Sequence, residues 1–302
     1  MRVHAIINRG AGGAAGYAAE ELAGIAEAAF REAGHQIAVS LVAPAGVEAA
    51  FDEAVSESPG ILIAGGGDGT VRSAASRLLG SEIALGILPL GTVNRLARDL
   101  HIPLEPRAAL RALAGGGIRP IDVAEVNGEI FLCNSMLGLP SQISEERQNL
   151  RVRPLRERIA GYFKLLKTIV SSRRHLEVSI DGDANRRLRA RVISLAVSNN
   201  LYRREPSLVF TRRALDEGKL GIYIAKPHSG LGMMWILARA ALGLWSGDDR
   251  LDILSARNVT IGARRKRLRL SNDGEVETLK TPLRYQIHPK ALKVLAPTGR
   301  SE

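Results

Sequence analysis

The sequence predicts two fold classes in one chain, a three-layer α/β domain followed by an antiparallel β-sandwich. Apolar strands and helices alternate over the first third of the chain, which is typical of a mostly parallel sheet covered by helices on both faces. After Gly115-Gly116-Gly117, short strands separated by turn residues follow instead. With 302 residues the chain is long for one domain and sufficient for two cores. We therefore predict domains at residues 1–117 and 118–288.

The first part contains four predicted strands joined by helices. The strands are Val3–Asn8, Gln36–Val42, Gly60–Ala64 and Ile83–Pro89. The predicted helices are Tyr17–Ala33, Val47–Ser56, Val71–Leu79, Val93–Leu100 and Arg107–Leu113. In open α/β sheets ligands bind beyond the carboxyl ends of the strands, so the residues that follow each strand are the candidates for a site.

The second part reads as a series of short strands with turn residues between them. Asn127-Gly128 is the two-residue signal of a hairpin, and Asp181-Gly182 repeats it. The predicted strands are Ile121–Val126, Glu129–Cys133, Leu176–Ile180, Arg189–Ser198, Leu220–Ile224, Asn258–Ile261, Arg267–Leu270 and Leu283–His288. This pattern favours a sandwich of antiparallel sheets.

Composition limits the compartment and the partner. A single cysteine, Cys133, allows no disulfide within the chain, which fits a reducing cytosol, and its apolar neighbours predict a small buried side chain. The net charge of +11 favours an anionic partner such as a nucleotide, a nucleic acid or a phospholipid surface. The amino terminus has no features of a signal peptide. The apolar stretch Leu231–Trp245 contains Arg239 and is too short to cross a bilayer.

The first chemical motif is a glycine-rich loop, Gly65-Gly66-Gly67-Asp68-Gly69-Thr70, directly after a predicted strand. Glycines let backbone amides approach phosphate oxygens, and the following helix directs its positive end to the same place. Asp68 fits an anion site only if a cation such as Mg²⁺ lies between its carboxylate and the phosphates. The alternative is a plain strand-to-helix turn. No Gly-Lys-Ser/Thr follows, so this is not a Walker loop.

The second motif, Pro89–Arg98, again joins a strand to a helix. It offers the hydroxyl of Thr92 and the amide of Asn94 at the start of that helix. The alternative interpretation is an ordinary helix cap.

The third motif, Ser271–Glu275, follows a predicted strand and places Asp273 and Glu275 two residues apart. Such a pair can serve as general base and metal ligand. The alternative is a hairpin turn, because Asp-Gly is common in two-residue turns.

Together the three motifs resemble the diacylglycerol kinase catalytic domain family, which includes bacterial lipid kinases and sphingosine kinases. The family pattern is a GGGDGT loop, a GTxN…AR segment and a distant DGE turn, found here in order at Gly65–Thr70, Gly91–Arg98 and Asp273–Glu275. Further matches extend over nearly the whole chain: Asn8 with Gly10, Gly12 and Gly13, Ile121–Val123, Asn134 with Gly138, Leu215–Leu220 and Pro289–Pro297.

The resemblance implies an ATP- and Mg²⁺-dependent lipid kinase with its active site in a cleft between a nucleotide-binding α/β domain and the sandwich. It also implies that the tail, residues 289–302, packs back on the first domain. By this likeness Gly65–Thr70 binds the ATP phosphates, with Asn8, Thr92 and Asn94 near the nucleotide. The remaining implied roles are Mg²⁺ and γ-phosphate orientation for Asp68, proton removal from the lipid hydroxyl for Asp273, metal assistance for Glu275 and a structural Mg²⁺ for Asp216.

Three departures from the family pattern bear on the identity of the acceptor more than on nucleotide binding. Arg9 stands where the family commonly has Pro, and Arg95 stands where many members have Asp. The segment Asn199–Phe210 lacks the glycine-rich run often found there.

A lipid acceptor requires peripheral contact with an anionic membrane surface, which we expect from the cytoplasmic side. Basic residues around Gly161–Leu166 suit an amphipathic helix on such a surface, although a solvated helix face is the alternative. They are Arg147, Arg151, Arg153, Arg156, Arg158, Lys164 and Lys167, and the run Arg264–Arg269 adds to them. For Leu231–Trp245 we expect core or subunit packing, compatible with a homodimer, rather than a lid over an acyl chain.

Other functions remain open from the sequence. NAD kinases and phosphofructokinases share a similar glycine loop, so a kinase of a soluble acceptor is one alternative, and a sphingoid base is another acceptor. A lipid- or nucleotide-binding protein without catalysis is a second class, although all the acidic groups proposed for catalysis are present. Nucleic-acid binding is disfavoured because aromatic residues make up only 4% of the chain and no recognition module is evident.

Overall fold

The computed structural model describes residues 1–11, 16–138, 176–182, 187–203, 205–206, 210–226, 230–244 and 249–298. Contacts divide the chain into two units, the first formed by Met1–Val123 with the chain from Pro289, and the second by Ala124–His288. The division falls within strand β5 (Gly117–Val126), and the predicted boundary after residue 117 coincides with the start of that strand.

The first unit is built on a parallel sheet. Its strands are β1 (Arg2–Asn8), β2 (Gln36–Val42), β3 (Ile61–Gly66), β4 (Ala84–Pro89) and the end of β16 (Leu283–Ala296), in the order β2-β1-β3-β4-β16. Its helices are α1 (Ala19–Glu32), α2 (Val47–Ser56), α3 (Asp68–Leu78), α4 (Arg95–Asp99) and α5 (Pro106–Ala114). Helix α3 packs on β3 and β4, and α5 packs on β4, and every residue of these two strands is buried.

The second unit is a β-sandwich. Its strands are the end of β5, β6 (Glu129–Phe131), β7 (Asn134–Gly138), β8 (Leu176–Gly182), β9 (Arg187–Val192), β10 (Ser194–Asn199), β11 (Leu220–Ala225), β12 (Leu251–Ala256), β13 (Asn258–Ala263), β14 (Arg267–Asn272), β15 (Glu275–Lys280) and the start of β16. One sheet has the order β16-β13-β8-β9, with β5 pairing β16 and β6, and the other is β12-β11-β10-β7-β14-β15. Side chains from both sheets form one core around Phe131 and Tyr285. The centroids of these two rings are 6.1 Å apart in an edge-on arrangement.

The predicted fold class is therefore confirmed, whereas several predicted boundaries were wrong. The single predicted strand Arg189–Ser198 is two strands, β9 and β10, because the chain bends at Ile193 and passes from one sheet to the other. The predicted strand Glu129–Cys133 ends at Phe131, and a bend at Leu132 and Cys133 leads into β7. Helix α3 begins at Asp68, three residues before the prediction, so the glycine-rich loop contributes its first turn.

The apolar stretch Leu231–Trp245 forms helix α6 (Gly230–Ala241). One face packs as predicted, because Met233, Ile236 and Ala240 are buried against the second sheet. Among the described residues, no helix is both long enough and apolar enough to cross a membrane. The basic residues predicted between Arg147 and Lys167 lie outside the described residues, as do Gly12, Gly13, Arg204 and Trp245.

Candidate functional site

The carboxyl ends of three neighbouring strands bring the predicted phosphate-site segments together. Ile7 in β1 lies opposite Gly65 in β3, and Gly66 lies opposite Pro89 in β4. The amide of Leu90 donates to the carbonyl of Gly66 at 3.0 Å. Asn8, the glycine-rich loop and the segment from Gly91 therefore occupy one edge of the parallel sheet, where ligands bind in this class of sheet.

Two glycines in this region are required by close approach. A Cβ on Gly66 would lie 2.5 Å from both Cβ and Oγ1 of Thr70, whose side chain folds back over the loop. A Cβ on Gly91 would lie 2.6 Å from Cα of Gly67, so the two loops pack backbone against backbone. Helix α3 begins at this point, so the positive end of its dipole lies here. Its first backbone amides have no acceptor within the helix. The loop can thus present amides to an anion such as a phosphate.

Asp68 is the first residue of α3, and its carboxylate binds the second loop. Its Oδ1 accepts from the amide of Arg95 at 2.7 Å, and its Oδ2 accepts from the amide of Asn94 at 3.1 Å. Asp68 is half-buried, since part of its surface remains accessible. The carboxylate therefore fixes the second loop relative to the first.

Asn94 shapes the loop instead of capping the helix that follows. It adopts a left-handed backbone with φ of 52°, and its side chain makes no cap hydrogen bond to α4. Its Oδ1 accepts from the amide of Gly91 at 2.9 Å, and its Nδ2 donates to the carbonyl of Gly91 at 2.7 Å. The helix-cap interpretation was wrong for Asn94. Thr92, by contrast, is exposed within this loop.

Asn8 ends β1 with a tight turn, in which its Oδ1 accepts from the amide of Gly10 at 2.9 Å. The amide of Arg9 donates to the carbonyl of Val42 at 2.9 Å, a bond that proline at this position would be unable to form. A cavity of ≈ 390 Å³ opens beside this turn, lined by residues that include Asn8, Arg9, Tyr17 and Leu90. This volume lies in the range of small-molecule sites.

In the second unit, Asp273 and Gly274 form the two-residue turn between β14 and β15, with φ of 50° and 98°. The hairpin interpretation is confirmed, and Asp273 is only 8% exposed, with its carboxylate bound by backbone amides. Its Oδ2 accepts from the amide of Leu132 at 2.6 Å. Its Oδ1 accepts from the amides of Cys133 and Asn134 at 2.8 and 2.9 Å. Three convergent amides thus fix the orientation of this carboxylate.

Arg212, a buried residue that contacts the bend at Leu132 and Cys133, was not identified from the sequence. Its Nη1 donates to the carbonyl oxygens of Leu132 and, at 3.2 Å, Asn199. Its Nη2 approaches Sγ of Cys133 at 3.7 Å. The Asp273 carboxylate therefore binds the amides of the bend at Leu132 and Cys133, and the Arg212 guanidinium binds the carbonyl of Leu132. Because Arg212 and Leu132 are 80 positions apart, no local sequence pattern predicts their contact.

The other two predicted metal ligands, Glu275 and Asp216, are exposed. Glu275 begins β15, and Asp216 lies in the loop before β11, where the amide of Glu217 donates to Oδ1 of Asn200 at 3.1 Å. Within the described ranges, no three His, Cys, Asp or Glu residues are grouped as they would be to hold a metal. A divalent cation here would need oxygen ligands from a bound phosphate or water as well.

Comparison with known proteins covers both units. The sequence profile of the diacylglycerol kinase catalytic domain matches residues 2–126. A profile described as the YegS C-terminal NAD kinase beta sandwich-like domain matches residues 137–296. The two matches divide the chain close to the two structural units.

Among curated relatives, a Pseudomonas aeruginosa protein named "Probable lipid kinase YegS-like" is 32% identical over 285 residues, which cover 91% of this chain and 89% of the relative. A Klebsiella pneumoniae protein of the same name is 43% identical over 90 residues, 29% of this chain and 30% of the relative. A crystal structure described as a diacylglycerol kinase from Bacillus anthracis superposes with a TM-score of 0.74 at 19% identity, covering 98% of this chain and 97% of that chain. At that identity the likeness shows the fold.

Proposed function

The chain belongs to the diacylglycerol kinase catalytic domain family, and from that membership we propose that it transfers the γ-phosphoryl group of ATP to a hydroxyl group of a membrane lipid. A glycerolipid of the diacylglycerol type is the proposed acceptor. The enzyme would work as a peripheral protein at the cytoplasmic surface of the membrane. Lipid kinases are the named relatives over nearly the full length of the chain, which supports the lipid over a soluble acceptor.

One observation carries this proposal: backbone contacts lock the glycine-rich loop and the Gly91 loop together at the carboxyl edge of the parallel sheet. A Cβ on Gly91 would stand 2.6 Å from Cα of Gly67, so there is room only for backbone between the loops. The half-buried Asp68 carboxylate, bound by the amides of Asn94 and Arg95, keeps the loops in that arrangement. Phosphoryl transfer depends mainly on positioning and charge neutralisation, and a fixed loop of amides serves both needs.

The residues present fit Mg²⁺, because hard carboxylate oxygens are its preferred protein ligands and Asp68 places them beside the proposed phosphate site. Asp68 would hold the ion, and the metal-assisting role of Glu275 stays a prediction from the family resemblance. When bound, Mg²⁺ would neutralise charge on the transferring phosphoryl group. Asp216 is exposed and has no cluster of acidic neighbours among the described residues, so its structural metal stays a prediction.

Asp273 is the proposed base. The acceptor oxygen would bond to the γ-phosphorus, the bond to the bridging β,γ-oxygen would break, and the hydroxyl proton would pass to the Asp273 carboxylate, leaving ADP and a lipid phosphate. Oδ2 of Asp273 accepts one amide hydrogen bond and Oδ1 accepts two. A carboxylate oxygen has two lone pairs, so Oδ2 is the oxygen we assign to the acceptor hydroxyl.

The test is a mass-spectrometric survey of a membrane lipid extract incubated with the protein, ATP and Mg²⁺. We expect a glycerolipid to gain the mass of one phosphate only when all three are present. A phosphorylated sphingoid base would replace the acceptor class and leave the kinase proposal intact. No phosphorylated lipid, combined with measured ATP binding, would instead favour a binding protein without catalysis.

A further inference from the structure

Helix α6 exposes an apolar stripe along the face opposite the sandwich. Leu231, Trp235 and Leu242 are 65%, 54% and 63% exposed, and Met234 and Ala238 lie between them on the same face. An α-helix turns about 100° per residue, so the four positions within α6 fall within an arc of about 100°, and Leu242, which directly follows the helix, continues it through the bond from its amide to the carbonyl of Ala238. The buried residues Met233, Ile236 and Ala240 point to the opposite side. The exposed side chains are therefore a continuous stripe rather than scattered surface residues.

The inward face explains why the stripe cannot turn towards the core. Met233 and Ile236 pack with Ala225 of β11 and with Ile193 at the bend before β10, and Ala240 packs against Tyr223 of β11. These contacts fix the rotation of the helix about its axis. The outward stripe is thus held in place by the packing of the inward face.

The charge around the stripe suits an anionic surface. The segment Lys226–Leu244 contains no Asp or Glu, and the chain carries a net charge of +11. Of the acidic residues near this segment, two are paired with basic ones, and the exposed Asp249 lies beyond its end. Asp252 pairs with Lys226, and Glu205, which lies against Gly243, is 3.7 Å from Arg203. An anionic lipid headgroup would therefore meet little local repulsion.

We infer that the α6 stripe, defined by Leu231, Met234, Trp235, Ala238 and Leu242, is the surface by which the protein inserts into the interface of a bilayer containing anionic lipids. A 12-residue helix is about 18 Å long, which suits a helix lying in the membrane plane. Tryptophan favours the boundary between headgroups and acyl chains. The inference rests on the proposed function, because a lipid acceptor must be reached at such a surface.

The test uses the two tryptophans of the chain. In a Trp245→Phe variant Trp235 is the only tryptophan, and its selectively excited emission is recorded without ATP. Vesicles of phosphatidylcholine mixed with phosphatidylglycerol should shift the emission to shorter wavelength. Brominated acyl chains should quench it, and phosphatidylcholine alone should have a weaker effect. Unchanged emission with all vesicles would overturn the inference.

Variants separate the stripe from the catalytic site. Trp235→Ser should bind anionic vesicles about tenfold more weakly, whereas Leu104→Ser, which removes an exposed leucine from the first unit, should bind like the parent. Trp235→Ser should also lose phosphorylation of vesicle-embedded lipid while keeping that of a short-chain lipid dispersed in water. Equal vesicle binding by both variants would overturn the inference.

One further result would exclude the stripe as a membrane surface, and another would exclude the kinase activity alone. If sedimentation velocity showed a dimer that Trp235→Ser dissociates while vesicle binding stayed unchanged, the stripe would be a subunit interface and the inference would be overturned. If the protein phosphorylated no lipid yet still inserted Trp235 into vesicles, the membrane surface would stand and the proposed kinase activity would fail.

Discussion

The amide of Arg95 donates a hydrogen bond of 2.7 Å to Oδ1 of Asp68. This bond joins the first residue of α4 to the first residue of α3, and it uses the backbone of Arg95 rather than its side chain. An arginine in place of the acidic residue common in the family therefore preserves the connection between the two loops. The departure at position 95 is compatible with an intact phosphate site.

A pair of substitutions tests this connection. Asp68→Asn replaces one acceptor oxygen by an amide nitrogen that cannot accept, so the amide of Asn94 or Arg95 loses its partner. We expect a loss of about 1 kcal/mol in unfolding free energy and the loss of phosphoryl transfer. Arg95→Ala keeps the backbone bond and should retain transfer within about a factor of five, since the side chain of Arg95 is not the group that binds Asp68. Urea unfolding measures the unfolding free energy, and turnover measures phosphoryl transfer. Equal losses from the two substitutions would contradict the proposed role of the Asp68 carboxylate.

Gly66→Ala tests the close packing of the glycine-rich loop. The new Cβ would lie 2.5 Å from the side chain of Thr70, so the first turn of α3 must move. We expect ATP affinity, measured by calorimetry, to fall about tenfold or more, which corresponds to about 1.4 kcal/mol. Gly24→Ala in α1 is the matched control, because its Cβ would have no atom within 4 Å. The control should leave affinity unchanged and stabilise the fold by about 0.5–1 kcal/mol. Normal ATP affinity in Gly66→Ala would mean that the loop is not the phosphate site.

Asp273→Asn should reduce stability as well as turnover. Asparagine offers one acceptor oxygen to a position where three backbone amides converge, so at least one buried amide loses its partner. We expect a loss of about 1–3 kcal/mol in unfolding free energy. Glu275→Gln is the control, because Glu275 is exposed and its loss should alter Mg²⁺ dependence without lowering stability. Wild-type stability in Asp273→Asn would contradict the three-amide arrangement, and near-normal turnover would remove Asp273 as the base.

The acid limb of the stability profile should depend on Glu105. The hydrogen bond from Tyr17, followed by those from the amides of Ala108 and Arg107 at the start of α5, lowers the pKa of Glu105 from its ordinary value. A carboxylate whose pKa is lowered on folding stabilises the fold above its unfolded-state pKa, and this contribution is lost as the pH falls through the folded-state pKa. Glu105→Ala should cost about 1 kcal/mol at neutral pH through the lost helix cap.

Thermal unfolding of Glu105→Ala and wild type between neutral and acidic pH tests this expectation. The difference in midpoint should shrink as the pH falls below the ordinary carboxylate pKa. Tyr17→Phe should produce a smaller change of the same sign, because the amide bonds of Ala108 and Arg107 remain. A difference that stays constant over the acidic range would show that the Glu105 carboxylate is not stabilised by these partners.

The first unit could be predicted well because buried parallel strands are continuous apolar runs. The glycine motifs also follow β3 and β4 directly in the sequence, so their position at the carboxyl edge of the sheet followed from the fold class. The start of α3 at Asp68 could not be predicted, since Gly and Asp are poor helix formers. The carboxylate of Asp68 accepts hydrogen bonds from the amides of Asn94 and Arg95, and these contacts join segments that are distant in the sequence.

The second unit was harder to predict because its determining contacts join distant residues. The carboxylate of Asp273 binds amides about 140 positions earlier in the chain, and Arg212 binds Leu132 across 80 positions. The motif identified Asp273, but its burial depends on the bend at Leu132 and Cys133, which interrupts what the sequence predicted as one strand. The exposed stripe of α6 was missed for a related reason, since an apolar stretch alone does not show which face the sheet will cover.

The proposed lipid kinase activity is measured by following label from γ-labelled ATP in the presence of Mg²⁺ and vesicles that contain diacylglycerol. We expect labelled phosphatidic acid in the organic phase from the wild type, and at least about 100-fold less from Asp68→Asn, in line with the loss of an electrostatic group at a transfer site. Label found only as inorganic phosphate, or equal lipid labelling by the wild type and Asp68→Asn, would contradict it.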